Sequence, residues 1–108
     1  MLGLLKKAQI SGNARVFGDA GVCENAMVYE NARVFGDAYI LGNAKVYGKA
    51  KVFGRAKVYG DARVYDNAKV FGKAEVCGHT EIKGDVKVSG KACISGKTEI
   101  KGYKNTEG

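Results

Sequence analysis

The sequence predicts an all-β fold, a parallel β-helix wound as a triangular solenoid of about five coils of 18 residues. Two observations predict it. Written in blocks of six from Ala8, the chain becomes sixteen hexads without an insertion or a deletion, covering 8–103. A second period of 18 then appears, because Phe17, Phe35, Phe53 and Phe71, all four phenylalanines, are evenly spaced. Tyr29, Tyr47 and Tyr65 share that spacing. Three hexads therefore make one turn of a three-sided tube, and self-similarity of this kind is the mark of a repeat architecture.

Each hexad accounts for one side. Its first position is Ala, Thr or Val and its third is Val or Ile, while the second and fourth are mostly charged, aromatic or polar. Such alternation is that of a short strand, about four residues long, with one buried face. The fifth and sixth positions form the corner. Gly holds the fifth in thirteen of the sixteen hexads, and the exceptions Glu24, Glu30 and Asp66 are each followed by Asn. Asn tolerates a left-handed backbone better than most residues, so positive φ is expected at Asn25, Asn31 and Asn67. Strands this short, joined without loops, cannot bury one face as hairpins and must coil. At the usual strand spacing of about 4.8 Å, 16/3 turns give a tube roughly 25 Å long.

With 16 Gly, no Pro and no Trp, a chain of 108 residues cannot build a wide core, and its interior has to be narrow and filled by small side chains. The longest apolar run is far short of a membrane span. Met1 to Lys7 carries its charges after its leucines and does not read as a secretory signal. Residues 1–7 are therefore expected as an amino-terminal cap, with Leu2, Leu4 and Leu5 as its plug, and 104–108 as a carboxyl-terminal tail beside Tyr103. Cys23, Cys77 and Cys93 are odd in number and lack metal-ligand spacing, so free thiols in a reducing cytoplasm are expected, with no metal and no cofactor.

An aliphatic residue followed four positions later by a small one, as in Val16 and Ala20, Val28 and Ala32, or Val46 and Ala50, resembles the hexapeptide-repeat proteins. The resemblance spans nearly the whole chain. It implies a left-handed parallel β-helix and a homotrimer. In the family's enzymes Gly often follows the aliphatic residue directly, whereas here an aromatic stands there and Gly comes next. This variant, typified by the run from Gly12 to Ala20, looks like that of bacterial and phage repeat proteins for which the family implies little about activity. The resemblance to its acyltransferases implies a histidine base at a subunit boundary and extra loops. This chain offers a single histidine, His79, at a sixth position and hence on a corner, and it has no excursion loop. The family's zinc-holding members use several histidines, which three copies of His79 about a threefold axis could supply.

The outward columns carry any function. Phe17, Phe35, Phe53 and Phe71 form one, readable as an intramolecular ring ladder or as a subunit interface burying an apolar strip. Beside it run Arg15, Arg33, Lys51, Lys69 and Lys87. The formal charge is +7, and these cations either splay into solvent over the rings or hold an anionic ligand such as a nucleotide, a nucleic acid or an acidic protein in grooves between subunits. The expected function is a non-catalytic structural or interaction module assembling as a homotrimer. The alternatives are an anion-capturing binder and a stripped acyltransferase relative.

Overall fold

The computed structural model describes residues 3–4, 9–97, 99–100 and 105–107. It is a triangular β-solenoid of three parallel six-stranded sheets, one to each side of the prism. The first sheet runs from strand Gly3–Leu4 to strand Cys93–Ile94, and the second from Gln9–Ile10 to Glu99–Ile100. The third stacks Arg15–Val16, Arg33–Val34, Lys51–Val52, Lys69–Val70, Lys87–Ser89 and Asn105–Glu107. Register is constant: Arg15 pairs with Arg33, Lys51 with Lys69 and Lys87 with Asn105, each partner 18 residues on. The fold class and the coil length expected from the spacing of Phe and Tyr are those observed.

The strands are shorter than expected, with most limited to the second and third positions of a hexad. Coil-to-coil hydrogen bonding is wider than the strands. Arg15, Phe17 and Asp19 all donate their backbone N–H to the next coil, to the carbonyls of Ala32, Val34 and Gly36 at 2.9 to 3.0 Å. Second, fourth and sixth positions thus tie each coil to its neighbour, and the corner is closed by a four-residue turn such as Ala26 N to Cys23 O at 3.2 Å.

The interior holds what the alternation demands. Val22, Val28, Val34 and their counterparts are fully buried, as are the Ala residues from Ala26 to Ala74. Each buried Val contributes about 1.5 to 3 kcal/mol, and the small Ala methyls let three sheets meet at close range. Thr80 is the exception that needs a partner, and its hydroxyl donates to the Cys77 carbonyl at 2.7 Å.

The corners correct one expectation. Positive φ falls on Glu24 (62°), Glu30 (59°) and Asp66 (59°), not on Asn25, Asn31 and Asn67. The fifth position is left-handed in these three hexads as it is where Gly occupies it, for example at Gly18 and Gly54 (both 69°). A contact between coils holds the acidic residues there. Glu24 Oε1 accepts the Gly42 N–H at 2.9 Å, Glu30 Oε1 that of Gly48 at 2.9 Å, and Asp66 Oδ2 that of Gly84 at 3.2 Å.

The long axis of the molecule is 31 Å, with cross-section 23 × 22 Å. Gly3–Leu4 pairs with Gly21–Val22, and Asn105–Glu107 with Lys87–Ser89, so the 18-residue register runs into segments outside the sixteen hexads. Leu2, Leu5 and Tyr103, expected at the two ends, lie outside the described residues. No helix among the described residues is long and apolar enough to cross a membrane.

Candidate functional site

Hexad geometry sends second and fourth positions outward, and the constant register turns them into straight columns. Arg15, Arg33, Lys51, Lys69 and Lys87 follow one another up the third sheet. They form one wall of an open groove of about 900 Å³. Its other wall is the preceding corner, with Asn13, Asn31, Lys49, Asn67 and Asp85. Asn13 Nδ2 donates to Asn31 Oδ1 at 3.2 Å, so part of that wall is a hydrogen-bonded ladder. All five predicted cations therefore share one groove in a single chain. Lys49 and the corner asparagines were not anticipated. Their signal in the sequence is the same 18-residue step, which relates the sixth positions 13, 31, 49, 67 and 85.

Six cations face one carboxylate, Asp85, in this groove. Adjacent column residues are one coil apart, and stacked rings in the same coils lie 4.9 Å apart. At that distance two unit charges repel by about 1 kcal/mol in water before salt screening. Lys83 pairs with Glu99 at 3.1 Å, and His79 Nδ1 stands 3.5 Å from Asp61 Oδ2, both on other faces.

The Phe column is a continuous ladder. Phe17, Phe35, Phe53 and Phe71 are successive neighbours with centroids 4.9 Å apart and ring planes within 3° of parallel. This separation suits offset stacking, at about 0.5 to 1.5 kcal/mol per pair beyond burial. Stacking covers the ring faces, leaving Phe35, Phe53 and Phe71 half-buried, while Phe17 at the end of the row is 47% exposed. The apolar surface on offer is a ridge of ring edges rather than open ring faces. None of the column cations lies over a Phe ring among the described residues; the one cation–π contact there is Lys83 Nζ, 6.0 Å from the Tyr65 centroid.

On the second sheet Tyr29, Tyr47 and Tyr65 form a matching ladder with centroids 4.8 Å apart. Partial burial raises the pKa of all three phenols. On the first sheet, the neighbouring Cys77 thiol, desolvation and the hydrogen bond that Tyr59 donates to Glu75 Oε1 at 3.2 Å together push the Tyr59 pKa up to about 12. A phenol whose pKa is raised by folding holds its proton more tightly in the folded state. Its contribution is complete below the unfolded value near 10 and is lost as pH rises through about 12. Thermal melts at rising pH should therefore show a steeper loss of stability in this window for the wild type than for Tyr59→Phe. Parallel curves would refute the assignment.

A third column occupies the corner between the first and second sheets. Asn25 Nδ2 donates to Asn43 Oδ1 at 3.2 Å, Asn43 Nδ2 to Asp61 Oδ1 at 3.2 Å, and Asp61 Oδ2 faces His79 Nδ1 at 3.5 Å. His79 is on the corner, as its hexad position requires, and its side chain is 64% exposed. Cys23 and Cys77 are half-buried, Cys93 is exposed, and all three are free thiols.

Residues 8–24 match the family model of the YdcK beta solenoid repeat. The matched stretch is just under one coil and is similar to a β-solenoid repeat, in accord with the three-sided stack. No curated protein and no solved structure matches the chain.

Proposed function

We propose that this β-solenoid is a non-catalytic structural and interaction module that assembles as a homotrimer through the face bearing the Phe and basic columns. Kinship with the left-handed hexapeptide-repeat proteins is part of this reading. The observation that carries it is the Phe ladder. Four parallel rings at 4.9 Å spacing present their edges as a straight apolar ridge, with Phe17 exposed at its end. A straight ridge on a rigid sheet suits a closed, symmetric interface between like subunits, where apolar edges are withdrawn from water.

The test is hydrodynamic. Phe35→Lys combined with Phe53→Lys places two charges in the apolar ridge and should convert trimers to monomers in sedimentation velocity, with far-UV circular dichroism confirming that the solenoid persists. An unchanged sedimentation coefficient would overturn the interface.

A second reading is favoured by the basic groove, in which six cations are ranged along the walls with one carboxylate among them. In it the module captures an anionic ligand or an acidic protein surface, and because the groove belongs to one chain the capture does not require subunits to pair.

A further inference from the structure

We infer that the groove of the third sheet takes a linear polyphosphate chain, laid along the tube axis across successive coils; this rests on the anion-capture reading. Charge is the first reason. Among the described residues none of the five column cations is ion-paired. Among the described residues Asp85 is the one carboxylate in the groove, so most of their mutual repulsion is left uncompensated there, and a polyanion threaded between them would relieve it from coil to coil.

Shape is the second. The cations do not converge on a point but follow one another at one per coil, so the column spans four steps, or about 20 Å. A single phosphate or a triphosphate meets one or two coils at a time, whereas an extended chain meets all five. The amides of Asn31 and Asn67 on the facing wall supply neutral donors to phosphate oxygens between the charges. Soft P–O–P torsions let such a chain adjust its phosphate positions to the fixed cation spacing.

The aromatic ladders decide against nucleic acid. Single-stranded binding surfaces offer ring faces on which bases stack. Here the facing sides of successive rings in both ladders are spent on one another at 4.8 to 4.9 Å, and among the ladder rings only the terminal Phe17 is exposed. Recognition is left to charge, and the ligand that best matches charge without bases is the slender phosphate chain.

The test uses the full chain with four probes at equal total phosphate or sulfate: long-chain polyphosphate, triphosphate, heparin and an oligothymidine. Long-chain polyphosphate should raise the melting midpoint by several degrees and bind at least tenfold more tightly than the other three. Its log affinity should fall with log salt at a slope of about −3 to −4, as expected for about five neutralised phosphates. Lys51→Gln with Lys69→Gln should weaken binding tenfold or more and flatten that slope by about 1.5, whereas Lys57→Gln, on the first sheet, should change neither. Triphosphate binding as tightly as the long chain, heparin or oligothymidine binding more tightly, or full affinity in the Lys51/Lys69 variant would each overturn the proposal. Sedimentation of the same samples separates the two readings of the molecule. A monomer that binds polyphosphate sinks the trimer alone, and a trimer that ignores polyphosphate sinks this assignment alone.

Discussion

Excising residues 50–67, one whole coil, should leave a folded solenoid that melts about 5 to 10 °C lower, whereas deleting Val58 alone should abolish cooperative unfolding. The excision joins Lys49 to Ala68 at a hexad boundary. Fifth positions then stack Gly over Gly, with Gly36 beneath Gly72 and Gly42 beneath Gly78, and in the second sheet Lys45 comes to pair with Glu81, its opposite charge. Only one coil–coil interface is lost, in a structure whose stability is a sum over neighbouring coils. Loss of a single residue is worse because the side-chain period is two. Beyond the deletion the residues slide by one, driving Tyr59 toward the slot of a fully buried Val and turning apolar residues outward. Far-UV circular dichroism with thermal melts reads both outcomes. An excision variant as disordered as the point deletion would show that the coils are not interchangeable units.

The second large effect is at the corners. Gly78→Ala should destabilise by about 2 to 4 kcal/mol and Gly96→Ala by only about 1 to 2. Both glycines have left-handed backbones, with φ of 70° and 78°, so both variants bear the same conformational penalty. They differ in what lies above. A Cβ on Gly78 would stand 2.7 Å from Gly96 N and 2.8 Å from Gly96 O, whereas one on Gly96 meets nothing within 4 Å. The excess at Gly78 therefore measures the close approach of backbone to backbone from coil to coil. Equal losses in urea titrations would show that the approach is not the limiting contact. Gly78→Asp should lose less than Gly78→Ala, since Asp66 already shows a carboxylate in this position accepting the amide of the coil above.

The coil length was legible because side chains of one type recur in one column: four Phe at intervals of 18, set against the six-residue block, imply three sides. The core was legible for the same reason, through first positions held mostly by Ala and third positions held throughout by Val or Ile. The corner conformation was not. Intrinsic tolerance of positive φ points to Asn25, Asn31 and Asn67, yet Glu24, Glu30 and Asp66 adopt it, because an amide from the next coil rewards an acceptor at the fifth position and overrides local preference. Strand length was overestimated, since alternation extends over four residues while regular pairing mostly closes over two. The predicted cations did gather, but the groove they line depends equally on the corner residues Asn13, Asn31 and Lys49. Those sit at the sixth position of the hexad, where Asn, Asp, Lys, Arg, His and Tyr all occur and no single residue type announces a column.

Constant register carries a hazard during synthesis and refolding. A strand that skips a level meets a partner almost identical to its proper one, Val52 against Val88 instead of Val70, with the same hydrogen-bonding groups in the same places. Such a mispaired chain would be a deep kinetic trap, with eighteen residues looped out and little energy to correct it. The non-repeating side chains work against this: a ring row that ends at Phe71 and an amide row that ends in Asp61 and His79 make each storey distinguishable from the next. Replacing these markers with a uniform consensus would be expected to yield a chain that is more stable once folded and slower to find that state.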